Sequence, residues 1–147
     1  MFLLFLFAFV ILGAIGGISF FLIVVSQGGA RRDRRLKNLP AIRPSLKPEE
    51  FKKEMLAEGY DAGVIELLQK ELAYYLSDYP DFGINPMDNA DKDYQIPQEN
   101  VKELAERLFA KKQGRRPVLT DWADWDQRSR NAPVGVLENM LRFAMKQ

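Results

Sequence analysis

The feature that most constrains this chain is a run of 24 residues, Phe2 to Val25, with no charged side chain and only Ser19 carrying a polar group. As a helix rising about 1.5 Å per residue, it reaches about 36 Å, more than the roughly 30 Å hydrocarbon core of a bilayer. A stretch of that length spans a membrane with some tilt. A cleaved signal peptide is the competing reading. It calls for a basic flank before a 7–15-residue apolar core, and here no basic residue precedes a much longer run. The expectation is a transmembrane anchor over residues 1–27.

Charge sets its orientation. Residues 31–47 carry seven basic side chains and one acidic, whereas residues 48–147 carry 14 basic and 19 acidic. Arg31, Arg32, Arg34, Arg35 and Lys37 follow the apolar run directly, with Arg43 and Lys47 beyond. Basic residues flanking a span stay on the cytoplasmic side. The chain should therefore sit in the inner membrane with its N-terminus out and residues 48–147 in the cytoplasm, its cations against anionic lipid headgroups. An arginine run also binds nucleic-acid phosphates; headgroups within reach make lipid the favoured partner, and no nucleic acid is expected. Within the apolar run, Gly13, Gly16 and Gly17 place small residues on one helical face, with Gly13 and Gly17 in GxxxG spacing. Such a face lets a second membrane helix approach closely.

Residues 28–47 read as a basic, Pro-containing juxtamembrane linker, and Pro40, Pro44 and Pro48 make residues 38–48 a semi-extended connector that holds the rest off the bilayer. Beyond it the pattern is helical. Pro48-Glu49-Glu50 suits a first turn, and Gly59 a stop. Asp61 caps a helix whose apolar positions run from Val64 to Tyr79, ending before Pro80. Residues 80–96 carry turn formers throughout. Pro97 opens a helix with Val101, Leu104, Ala105, Leu108 and Phe109 on one face and Gly114 at its end. Thr120 is the expected cap of a short helix carrying Trp122 and Trp125, and Pro133 the start of the last. No stretch alternates with period two. The fold class is all-α: one membrane helix and a bundle of four or five helices over residues 48–147.

The chain has no His and no Cys. That excludes His-dependent triads, zinc sites of the usual kind and disulfides. Aspartates and asparagine in Asp88-Asn89-Ala90-Asp91-Lys92-Asp93 invite a calcium reading. Counted from Asn89, however, an EF-hand would need Gly where Tyr94 stands and Glu where Asn100 stands. A solvated turn is expected, with no metal and no cofactor. Glu99, Glu103 and Glu106 alternate with Lys102 and Arg107 as on an ordinary exposed face. No catalytic constellation emerges. Asp121, Trp122, Asp124 and Trp125 form an acidic–aromatic segment that serves either core packing or a partner protein, tryptophan being enriched in binding hot spots. Tyr74, Tyr75, Tyr79 and Phe82 divide in the same way.

Asp93-Tyr94, followed by Glu103-Leu104, together with the helix starts around them and Pro133-Val134-Gly135-Val136-Leu137, resembles the acyl carrier proteins over about residues 61–147. The resemblance implies a carrier-like helical outline. Gln98 occupies the position of the serine that takes phosphopantetheine, and an amide cannot accept that phosphodiester. What the resemblance then implies is an acidic docking domain without carrier chemistry. The function expected is that of a non-enzymatic, membrane-anchored subunit or scaffold binding other membrane proteins through its span and a cytoplasmic partner through its bundle. A tethered carrier or small enzyme acting on acyl or lipid substrates is the alternative.

Overall fold

In the computed structural model, the described residues are 29–39, 41, 43–79, 82–129 and 135–146. The expected span and its Gly13, Gly16 and Gly17 face lie outside them. Among the described residues no helix is long and apolar enough to cross a membrane. The chain divides into two compact units, Met1–Lys37 and Asn38–Gln147. In the first, residues 29–37 are helical, with Arg31, Arg34, Arg35 and Lys37 exposed and Arg32 half-buried. An i,i+4 ion pair joins Lys37 to Asp33 at 2.9 Å.

The second unit is all-helical among its described residues, apart from two isolated antiparallel bridges, Leu46 with Ile84 and Asn89 with Val136. Its helices are α1 (Pro48–Ala57), α2 (Ala62–Tyr75), α3 (Gln98–Gln113), α4 (Leu119–Ser129) and α5 (Leu137–Met145). α3 packs chiefly on α5 and secondarily on α2, which in turn carries α1. The core holds stripes read from the 3–4 spacing, namely Val64, Leu68, Leu72 and Leu76; Val101, Leu104, Ala105, Leu108 and Phe109; Leu137, Met140, Leu141 and Ala144. Phe51, Met55 and Ile65 add to it, while Tyr75 and Tyr79, expected on the first stripe, are only half-buried. Each fully buried Leu or Phe contributes about 1.5–3 kcal/mol.

Local chemistry sets several boundaries where the sequence placed them. The Asp61 carboxylate accepts the Val64 N–H at 3.1 Å and caps α2. At the end of α3, Gly114 takes φ +68°, the left-handed conformation that glycine adopts without cost.

Elsewhere tertiary contacts move the boundaries. α2 stops at Tyr75 and continues as turns rather than as helix to Pro80. α4 starts one residue before Thr120, and its first turn is closed by Asp121, which accepts the Val118 N–H at 2.8 Å. α5 starts at Leu137, because Val136 is in a bridge to Asn89 and the Leu137 N–H goes to the Asp88 carbonyl at 3.0 Å. Pro133 and Val134 lie outside the described residues.

Two expectations are corrected. The connector is neither extended nor free throughout: Asn38, Leu39 and Ala41 are helical, and residues 43–47 lie along residues 83–85, with Leu46 and Ile84 exchanging N–H···O bonds of 2.9 and 3.0 Å. Gly83 permits this approach, since a Cβ there would lie 2.6 Å from the Ser45 Cβ. Nor is Asp88–Asp93 a solvated turn. Asp88, Asn89, Ala90 and Tyr94 are all buried, and Asp88 is only 2 % exposed. The loop is a polar layer of the core, tied to α5 by the Ala90 N–H to the Gly135 carbonyl at 2.8 Å.

Candidate interaction surface

The acidic–aromatic segment becomes α4, and the structure sorts its residues. Asp121 faces inward, 5 % exposed. Besides closing the first turn of its helix, it receives Arg115 Nη1 at 2.7 Å and Nη2 at 3.2 Å, and pairs with Lys146 Nζ at 3.0 Å. One carboxylate thus ties the end of α3, the start of α4 and the end of α5. The Arg115 guanidinium, then the Val118 N–H and Lys146, hold its pKa far below the usual carboxylate range.

Trp125 is 7 % exposed and meets the Phe143 ring edge-on, with centroids 4.7 Å apart. Trp122 lies against the same ring at 5.1 Å, and Phe109 completes the cluster at 5.0 Å. Offset and edge-on pairs of this kind contribute about 0.5–1.5 kcal/mol beyond burial. Trp125 and Asp121, expected as partner contacts, thus also hold the fold together, with one edge of Trp125 open to the groove beside it. Trp122 is half-buried, with Lys102 Nζ 4.9 Å above its ring. Asp124 is exposed. Between α3 and α4, a groove of about 400 Å³ is lined by residues that include Glu99, Val101, Lys102, Trp122, Trp125 and Asp126. Its floor is apolar and its edges carry both charges, an arrangement that suits a side chain or short segment of another protein.

A second groove, of about 510 Å³, opens where α2 ends, lined by Leu72, Ala73, Leu76, Tyr79, Phe82 and Ile84. Two of the four aromatic residues noted in the sequence thus line a concavity. Tyr74, by contrast, stands 76 % exposed, edge-on to Tyr75 at 5.5 Å. The missed signal was the apolar spacing carried past the helix end, Leu76 to Tyr79 to Phe82, where helical periodicity no longer assigns a face.

A second buried carboxylate, that of Asp88, lies in the loop before α3. It accepts the Tyr94 hydroxyl and the Asn85 N–H, the latter at 2.8 Å, and pairs with Arg43 Nη2 at 2.6 Å. Burial raises the Asp88 pKa against the pull of those partners, and raises that of Tyr94 as well. Two further side chains of the loop turn onto its own backbone, while Asp91 Oδ1 is buried without a hydrogen-bond partner. Asn89 Oδ1 accepts the N–H groups of Asp91 and Lys92 at 3.2 Å each, and Asp93 Oδ2 accepts that of Asn89 at 2.8 Å. These are Asx-turn bonds, which satisfy the backbone of a buried loop. No cluster of three acidic side chains able to hold a metal ion occurs among the described residues.

Gln98, at the position of the carrier serine, is the exposed first residue of α3. No family model, curated protein or solved structure matches the chain.

Proposed function

We propose that this chain is a non-catalytic, single-pass inner-membrane protein whose helical domain binds partner proteins on the cytoplasmic side, as a small accessory or scaffold subunit of an envelope-embedded complex. The observation that carries the proposal is the charge-free run Phe2–Val25 followed directly by Arg31, Arg32, Arg34, Arg35 and Lys37. Uncharged length fixes depth in the bilayer, and the cations fix direction. Four of those five cations are exposed on the helical residues 29–37, available to anionic headgroups at about 1 kcal/mol each.

On this reading the glycine face of Gly13, Gly16 and Gly17 contacts another membrane helix. The groove beside Trp122, with Glu99 and Asp126 at its margin, takes the cytoplasmic partner; Asp124 faces a separate concavity beside Phe109 and Lys146. The net acidity of residues 48–147 favours a basic partner surface, chiefly by speeding encounter.

Purification of the full-length protein from its own membranes in mild detergent tests both contacts. Wild type should bring down a membrane complex. Gly13→Ile with Gly17→Ile should lose the integral-membrane components while still inserting. Trp122→Ala should lose the peripheral one. Recovery of the same set with all three proteins would reject both contacts.

A further inference from the structure

We propose that residues 43–46 form a charge-held strap, fastened to the bundle while Asp88 is ionised and released as an independent unit when Asp88 takes up a proton. This goes beyond the membrane reading and does not depend on it.

The strap has little apolar hold. Pro44 and Ser45 are exposed, and Leu46 is half-buried. Its backbone attachments to the loop are the paired Leu46–Ile84 bonds and the Asn85 side-chain amide donating to the Pro44 carbonyl at 2.9 Å. Lys47 stays tied to α1, its N–H donating to Glu50 at 2.9 Å and its carbonyl accepting the Phe51 N–H at 2.9 Å. What reaches inward is Arg43, whose side chain is 15 % exposed. Its Nη2 meets Asp88 and donates to the Gly83 carbonyl at 3.2 Å, while the guanidinium lies 5.4 Å from the Phe82 ring centre. Its Nε is buried with no hydrogen-bond partner. The guanidinium is therefore poorly solvated, and the carboxylate it meets is that of Asp88. Neutralising that carboxylate leaves a cation in a site that no longer balances it. Peeling back the strap returns Arg43 to water.

Asp88 has reason to stay in place. The Tyr94 hydroxyl and the Asn85 N–H hold its carboxyl group, and the Leu137 N–H of α5 holds its carbonyl. The other charged groups on this side are Asp93, which opposes ionisation of Asp88, and Glu138 of α5, which is engaged by Arg142 at 2.6 Å and by the Tyr60 hydroxyl at 3.4 Å. Because the Tyr94 and Asn85 bonds keep Asp88 in place when the strap leaves, release takes away a cation that favours the carboxylate, and the protonated form gains by it. Fastening is then complete at high pH and weakens as pH falls through the fastened-state pKa of Asp88. Because burial raises that value, the change begins above the ordinary aspartate range. Release frees residues 43–46, about 13 Å of extended chain, up to Lys47 at the start of α1.

Amide hydrogen exchange on the full chain in detergent, from about pH 7 to about pH 4.5 and corrected for intrinsic rates, reads the strap at the Leu46 and Ile84 N–H groups. Protection at both should fall about tenfold per pH unit once release begins, one proton being taken up. The Leu104 and Leu108 amides of α3 should stay protected. Arg43→Gln should expose the two strap amides at every pH, with α3 unchanged. Asp88→Asn should do the same if it folds, as α3 protection will tell, and the Arg43→Gln result decides if it does not. Constant protection of Leu46 and Ile84 in wild type would overturn the proposal. So would their loss in step with α3, or wild-type pH dependence persisting in Arg43→Gln.

Discussion

Two hexapeptides of this chain, Asp88-Asn89-Ala90-Asp91-Lys92-Asp93 and Asp121-Trp122-Ala123-Asp124-Trp125-Asp126, carry aspartate at the same three positions and alanine at the third. They fold differently. In both, the first aspartate turns inward, accepts the N–H of the residue three before it at 2.8 Å, and meets an arginine. What separates them is the residue that follows. Asn89 bonds its own backbone and holds a buried loop, whereas Trp122 and Trp125 bury an aromatic face and continue a helix. The electrostatic outcome also diverges. Burial raises Asp88, while half-exposed Arg115, with Lys146, lowers Asp121. An identical spacing of charge therefore specifies neither structure nor ionisation; the neighbours do.

The sharpest way to break this comparison is Asp88→Ala. It leaves the Tyr94 hydroxyl and the Asn85 N–H without their shared acceptor and unfastens Arg43, and urea denaturation should show a loss of about 2–5 kcal/mol. An effect no greater than that of an exposed aspartate would mean that the loop is not the buried layer described. Tyr94→Phe removes one of those bonds and leaves the ring packed. It should cost about 1–3 kcal/mol by the same measurement.

Asp121→Asn sharpens the contrast through pH. Asp121 has a lowered folded-state value, so its contribution is present above the unfolded value near pH 4 and fades as pH falls further. Thermal unfolding should show wild type losing stability below about pH 4 more steeply than Asp121→Asn, with the two curves converging in acid. Parallel curves would remove Asp121 from the account. Asp124→Ala, on the exposed side of the same helix, should change stability by no more than about 0.5 kcal/mol. A larger loss would show that the outer face of α4 is packed rather than open to a partner.

What the sequence disclosed was local. Stripes at 3–4 spacing, the Asp61 cap and the Gly114 stop act within one turn of chain, so the all-helical class and the core of α2, α3 and α5 could be read directly. Asp88 could not, because the cation that balances it, Arg43, is 45 positions away and stood in what looked like a connector. Gly83 was a trace of that contact, but a glycine in a turn-rich segment has ordinary reasons to be there. The start of α5 slipped from Pro133 to Leu137 for a similar reason: Val136 answers to Asn89 across the fold. On the candidate surface, two tryptophans three apart correctly shared a face. Their division into one buried and one half-exposed ring depended on Phe143 and Lys102, which no spacing rule brings near.

The most direct test of the membrane assignment is protease digestion of inverted inner-membrane vesicles containing the full-length protein, followed by an alkaline carbonate wash. The account predicts that the helical domain is digested away while a fragment holding Phe2–Val25 stays in the bilayer. A domain shielded from the protease, or a chain stripped from the vesicles by carbonate, would contradict it.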